Sequence, residues 1–184
     1  IPPRFDRITY RQAFLDAMGF DPHRIAASDL SRLAGLEGVP PPPGFEVDDR
    51  DAWLNLLLAA RVEGTLGFDR PAFLLDYPPS QAALARVRAG DPPVAERFEL
   101  YVRGIELANG YHELLDPREQ ERRFAEANAR RRAAGKMELP MDRRFLAALE
   151  AGMPSCAGVA VGLDRIVMLA TGAKSKDEVI AFPI

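Results

Sequence analysis

Cysteine and histidine are scarce in this chain: Cys156 is the single cysteine, and His23 and His112 are the only histidines. One cysteine excludes an intrachain disulfide, and so few residues of either type leave no Cys/His cluster with zinc-binding spacing. A reducing cytoplasm is the compartment this composition leads one to expect. No apolar run approaches the ~20 residues that cross a bilayer, and Ile-Pro-Pro-Arg-Phe-Asp-Arg at the start lacks the apolar stretch of a secretory signal. No membrane partner is expected. Positive charge is not in excess either, since 24 Lys+Arg stand against 27 Asp+Glu for a net charge of -3. That balance argues against sequence-independent binding to nucleic acid and leaves only a local basic patch to meet a nucleic acid or an acidic protein.

What is present is enough to bury a core of ordinary size: 184 residues, 47% hydrophobic, which favours one domain. A start without Met and with two prolines leads us to expect a segment continuing from something earlier.

Thr9 is placed to cap a helix through about Phe20, with Tyr10, Ala13, Phe14, Ala17 and Met18 as its apolar stripe and Asp21-Pro22 as its end. A short helix is expected near Ser28 to Ala34. The run Gly-Val-Pro-Pro-Pro-Pro-Gly at 38–44 cannot be helix interior and reads as a semi-rigid connector. Val47 to Val62 carries Trp53 and four leucines, predicting a strongly apolar helix in which Trp53 packs into the core. Pro71 to Pro79 predicts a short buried strand closed by prolines. The alternation of Arg97 to Val102, turning at Arg103-Gly104 into Ile105 to Gly110, predicts an antiparallel hairpin with one face lining a site. Asp116-Pro117 starts a charged helix from Arg118 to about Gly135, whose arginines read as a solvated face rather than an RNA or acidic-partner site. A helix over Asp142 to Ala151, a buried strand over Cys156 to Gly162, a helix over Asp164 to Thr171 and a short helix over Lys174 to Val179 complete the pattern. Helices segregated around an antiparallel β-sheet make an α+β fold.

Two segments carry the chemistry. Gly158-Val-Ala-Val-Gly-Leu-Asp-Arg165 opens a helix where small residues admit a flat ligand, Asp164 is placed to cap, and Arg165 is fixed where a cation would meet a polyphosphate. Gly104-Ile-Glu-Leu-Ala-Asn-Gly-Tyr-His-Glu-Leu114 supplies Glu106 and Glu113, hard oxygen donors that suit Mg2+ shared with substrate phosphates. Strict alternation puts residues seven apart on opposite faces. The two glutamates can share a metal only if Asn109-Gly110 bends or bulges the strand.

Glu96-Arg-Phe-Glu-Leu-Tyr101, the Gly-x-Glu-x-x-Asn-Gly-x-x-Glu-Leu run and Gly-x-x-x-Gly-x-Asp-Arg together resemble the catalytic core of class II lysyl-tRNA synthetases, the last of them that class's motif 3. Within that group the chain is most similar to the paralogues without an anticodon-binding domain, the elongation factor P (R)-beta-lysine ligases. The similarity runs from Phe5-Asp6-Arg7 through Tyr77-Pro78-Pro79-Ser80-Gln81-Ala82 to Val179-Ile180-Ala181-Phe182-Pro183. Lysyl-tRNA synthetases typically carry Thr-Gly-Gly-x-Gly before the second motif 3 glycine; here the run is Cys156-Ala157-Gly158-Val159-Ala160, and Cys156, Ala160 and Ser80-Gln81 follow the ligase pattern.

The resemblance implies a class II aminoacyl-tRNA synthetase-like catalytic core, in its C-terminal, motif 3 half. Glu106 and Leu107 would contact ATP, Glu106 also Mg2+, with Gly162 and Arg165 on the nucleotide. Asn109 and Glu113 would hold the lysine-like substrate or the metal, and Ala160 the wall of the amino-acid pocket. Glu106 and Arg165 would carry the catalysis. Glu113 has a second reading, as a cap for the turn into the next helix. The implied reaction is ATP-dependent activation of (R)-beta-lysine or lysine as an adenylate and transfer to a lysine side chain of elongation factor P, by a homodimer, with tRNA not a partner. Family members carry motifs 1 and 2 in a preceding segment, and residues 1–184 match neither, so these residues alone are expected to be inactive. Two other readings stay open: a lysyl-tRNA synthetase catalytic fragment, and a non-catalytic synthetase-like binding or regulatory protein.

Overall fold

In the computed structural model, which describes residues 4–182, a six-stranded mixed sheet carries helices formed mainly from the first third of the chain. The Pro183 of the similarity above, like the prolines at the start, lies outside the described residues. β1 (Asp6–Thr9) leads directly into α1 (Tyr10–Met18), followed by α2 (Ala27–Leu36) and α3 (Arg50–Leu57). Next come β2 (Ala72–Tyr77), the two-residue β3 (Val87–Arg88), β4 (Val94–Val102) and β5 (Ile105–His112). α4 (Pro117–Ala133), α5 (Arg143–Glu150), β6 (Ala157–Val161) and α6 (Leu163–Thr171) complete the chain. The sheet runs β1-β2-β4-β5-β6, with β3 on β4. Every pairing is antiparallel except β1 with β2, so the α+β layout holds with one parallel edge.

Local chemistry explains the helix ends. Thr9 Oγ1 accepts the Gln12 N–H at 3.1 Å, as expected of an N-cap. α1 stops earlier than Phe20 because Gly19 takes the left-handed conformation, φ 76°, and its N–H returns to the Phe14 and Leu15 carbonyls. Asp116 and Asp142 cap α4 and α5 through side-chain oxygens. After α3 the predicted long helix loosens into a π turn over Leu58–Val62 and a 3-10 turn over Glu63–Thr65. Trp53 is buried, its Nε1 donates to the Val47 carbonyl at 2.8 Å and Phe45 meets its ring edge-on. The proline connector thereby ends in a core contact, with Val39 also buried.

The core fills the space between α1–α3 and the sheet, with Tyr10, Phe14, Trp53, Leu74, Tyr77 and Tyr101 as its largest members. The structure departs from the sequence reading at three elements. β1 was not predicted, because Asp-Arg-Ile-Thr has no apolar alternation and owes its strand geometry to the parallel partner β2. β6 is not buried: among the described residues it pairs with β5 alone, and Val159 and Val161 are 57% and 54% exposed. The predicted helix at Lys174–Val179 is a single 3-10 turn, Lys176–Glu178, held by a capping box from Ser175.

Candidate active site

Residues directly opposite one another in an antiparallel pair point to the same face. The register sets Arg97 against Tyr111, Glu99 against Asn109 and Tyr101 against Glu106. β6 then sets Ala160 against Asn109 and Gly158 against Tyr111. Arg97, Glu99, Tyr101, Glu106, Asn109 and Ala160 therefore line one face across three strands.

Simple alternation would have turned Glu106 away from Asn109. The register shifts by one between Leu100 and Tyr101, where β5 inserts Leu107 as an extra residue. This bulge rotates Glu106 onto the face of Asn109 and Glu113. The expected bulge at Asn109-Gly110 is thus corrected to Leu107. Gly110 instead serves the packing of the strands, because a Cβ there would collide with the Phe98 ring and the Gly158 carbonyl, and its bareness lets β6 close against the hairpin.

A shared metal for Glu106 and Glu113 is also corrected. They lie at opposite ends of β5, about 20 Å apart along the strand at ~3.3 Å per residue, whereas Mg2+ ligands sit at about 2.1 Å from the ion. Glu113 instead lies over Gly158, in the space that a Cβ there would fill. Its carboxylate is half-buried, and among the described residues no lysine or arginine pairs with it. Its backbone N–H donates to the Cys156 carbonyl at 3.0 Å, fastening the end of β5 to the start of β6.

Arg165 and the acidic hairpin do meet. Arg165 Nη1 donates to the Glu106 carbonyl at 2.7 Å and to Glu106 Oε2 at 3.1 Å. Arg165 lies in the first turn of α6, and that turn is fastened to the bulge because the Gly162 N–H donates to the Leu107 carbonyl at 2.8 Å. Leu107, Gly162, Arg165 and Glu106 thus form one connected junction. Asp164 does not cap α6: Gly162 occupies the N-cap position without a side-chain bond, and Asp164 sits inside the first turn, where its charge favours the helix dipole.

Sequence reasoning missed the centre of this face. Glu99 is 5% exposed, and its carboxylate accepts from Tyr101 Oη at 2.6 Å, Arg97 Nη2 at 2.6 Å and Asn109 Nδ2 at 3.1 Å. Three donors are what allow a carboxylate to remain charged away from water. Burial, reinforced by the charge of Glu99, pushes the Tyr101 phenol far above its ordinary range, so it stays a donor. Arg97 is steadied by the Tyr77 ring below it, 4.5 Å from the guanidinium carbon, and by the Gln81 carbonyl at 3.1 Å. Asn109 is committed to Glu99 and Arg97 as well as facing Ala160. The legible signal was the alternation itself: 97, 99 and 101 are polar or phenolic while 98, 100 and 102 are apolar.

Glu63, in the 3-10 turn after α3, is a third carboxylate of this neighbourhood. Burial first, then the charge of Glu99 and more weakly that of Glu106, raises its pKa above the usual 4.5. A raised folded-state value stabilises the fold only while the group is protonated, so this contribution fades as pH climbs from 4.5 through the folded value. Glu63→Gln is therefore expected to match the parent at about pH 4 and to exceed it at about pH 7 in urea midpoint, and equal midpoints at both would contradict the clustering. Among the described residues no three His, Cys, Asp or Glu side chains converge tightly enough to hold a metal by themselves. An ion here would draw on one or two carboxylates plus phosphate and water, which is the habit of Mg2+.

A model of the class II tRNA synthetases (D, K and N) matches residues 1–184. The chain is 47% identical over 181 residues to a protein of Vibrio vulnificus (strain YJ016) named elongation factor P--(R)-beta-lysine ligase, covering 97% of this chain and 55% of the relative. Relatives of the same name from Vibrio cholerae serotype O1 and Klebsiella pneumoniae (strain 342) are 48% and 47% identical, again over 97% of this chain and 55% of their own length. The chain spans about half the length of the curated relatives it matches.

Proposed function

From the premise that this chain belongs to the class II tRNA synthetases (D, K and N), we propose that it is the motif 3 half of an ATP-dependent ligase that activates (R)-beta-lysine as an adenylate and passes it to a lysine side chain of elongation factor P. The observation that carries this reading is the common face on which Glu99, Glu106, Asn109 and Ala160 meet the Arg165 junction. The name borne by the relatives supports the choice of substrate and acceptor.

The reaction is in-line attack of the substrate carboxylate on the α-phosphorus of ATP, with pyrophosphate as leaving group. It needs alignment and charge neutralisation more than a protein nucleophile. Arg165 answers the negative charge of the polyphosphate. Its pairing with the Glu106 carboxylate is open to solvent, the side chains being 37% and 30% exposed, so guanidinium and carboxylate can separate to take a phosphate and a cation. Leu107 and Gly162 bring backbone close to the nucleotide because Gly162 itself carries no side chain at the junction. Glu99 and Glu106, hard oxygen donors on one face, fit Mg2+, which supplies neutralisation of phosphate charge when bound. Glu113, half-buried and without a cation of its own among the described residues, suits the ammonium of the substrate, with Ala160 and Gly158 shaping the wall beside it.

Assaying the full-length protein for ATP–pyrophosphate exchange, and for acyl transfer with elongation factor P and with tRNA side by side, tests the reading. Transfer to elongation factor P alone is expected; transfer to tRNA alone would overturn it in favour of a lysyl-tRNA synthetase. Ala160→Gly removes one methyl from the pocket wall, an alteration worth about 1–3 kcal/mol of discrimination. It is expected to move the ratio of exchange rates from beta-lysine toward lysine by roughly tenfold or more, and an unchanged ratio would remove Ala160 from the pocket.

A further inference from the structure

On the opposite face of the sheet, the ends of three strands bring together a serine, a histidine and a glutamate. His112, the last residue of β5, holds Nε2 3.0 Å from Ser155 Oγ, and its Nδ1 lies 3.0 Å from Glu96 Oε2. The pairing of His112 with Ala157 brings the Ser155 loop alongside, and Arg86 bonds through its backbone to both the His112 carbonyl and the Glu96 N–H. Glu96 and His112 share the face of Phe98 and Gly110, away from Glu99, Asn109 and Arg165, so this group is separate from the site described above.

We propose that Ser155, His112 and Glu96 form a nucleophilic relay that hydrolyses carboxylic esters. The negative charge of Glu96 beside Nδ1 favours the tautomer with its proton on that nitrogen, which presents the Nε2 lone pair to the serine hydroxyl. That is the tautomer a general base for serine requires. Glu96 is kept ionised by Arg86 foremost, with Arg88 adding a weaker contact at 3.3 Å, and its pKa lies below the ordinary range. The same two arginines draw off part of its charge, so the relay is weaker than one with an undivided carboxylate. Ser155 is exposed. A hydrogen bond from an exposed hydroxyl contributes little to folding, since water offers an equal partner.

A cavity of about 560 Å3 adjoins the three residues, lined by Leu75 and Phe98 on its apolar side and by Arg7, Asp76 and Arg88 on its charged side, where Arg88 pairs with Asp76 at 2.9 Å. The apolar wall suits the acyl chain, and Arg7 supplies positive charge for the developing oxyanion while Arg88 is held by Asp76 and Glu96. In the step itself Ser155 Oγ bonds to the acyl carbon while its proton passes to His112 Nε2. The ester C–O bond then breaks, and the departing alkoxide takes that proton to leave as alcohol. Water repeats the sequence on the acyl-serine, releasing the acid and restoring the hydroxyl.

The decisive measurement treats the folded full-length protein with a fluorophosphonate and maps the adduct by mass spectrometry, alongside p-nitrophenyl acetate hydrolysis. An adduct on Ser155 is expected, absent in Ser155→Ala and formed at least tenfold more slowly in His112→Asn, with ester hydrolysis falling in parallel. A wild-type protein that stays unmodified at Ser155, or labelling that is equally fast in His112→Asn, would overturn the proposal and leave these side chains as a pin between the Ser155 loop and the sheet. The wild-type result decides on its own, so a variant that fails to fold does not protect the proposal.

Discussion

Arg165→Ala is expected to lower ATP–pyrophosphate exchange by the full-length protein about 10²–10³-fold, the usual consequence of deleting one preorganised cation or donor from a site where charge develops. Arg165 is the cation that the structure fastens to the Glu106 end of the hairpin, and under the proposed function Glu106 would without it face a polyphosphate as an unpaired like charge. Folding should barely register the change, because a pair with both side chains about one-third exposed contributes only some tenths of a kcal/mol. Arg165→Lys should recover only part of the rate, since an ammonium cannot reproduce the planar fork of a guanidinium. Exchange measured beside urea unfolding checks both halves: a rate within threefold of the parent, or a rate loss matched by unfolding, would remove Arg165 from the nucleotide site.

Gly67→Ala is expected to destabilise the protein by about 3 kcal/mol or more, the largest stability effect of any single methyl considered. Two costs coincide at this position. Its φ is 77°, a conformation that costs an L-residue roughly 1–2 kcal/mol. The added Cβ would also press on backbone, 2.7 Å from the Tyr101 carbonyl carbon and 2.9 Å from Val102 Cα, and overpacking of this kind costs about 1–3 kcal/mol. Gly19→Ala separates the two, because Gly19 shares the left-handed φ of 76° and has open space around it; about 1 kcal/mol is expected there. Gly67 also accepts the Arg103 N–H at 2.8 Å and Leu66 the Gly104 N–H at 2.8 Å, so the loop clamps the hairpin turn. Displacing it should disturb the Tyr101–Glu106 pair and reduce exchange activity as well. Equal urea midpoints for the two glycine variants would show that the clamp yields.

Several elements were legible because their cause is local. Thr9, Asp116 and Asp142 announce helix starts through short side-chain oxygens, and all three bond as caps. The hairpin from Arg97 to Gly110 shows in its alternation and in Arg103-Gly104, both residues having positive φ at the turn. What escaped depends on partners distant in the chain. β1 is a strand only because β2 lies beside it, and Glu99 looks like one more polar residue until Tyr101, Arg97 and Asn109 are seen to converge on it. The Leu107 bulge carries no glycine or proline to mark it; it arises from how two strands and the α6 junction fit together.

The order of segments, the capped helices, the α+β class and the family were set by residue types at fixed spacing, which depend only on side-chain chemistry and on near neighbours along the chain. Which carboxylates share a face was a matter for the tertiary structure. Strand periodicity assigns faces only while the register is regular, and a single inserted residue moves Glu106 across the sheet to join Glu99 and Asn109. The same geometry leaves Glu113 a strand's length away, with Gly158 beneath it and no cation beside it among the described residues.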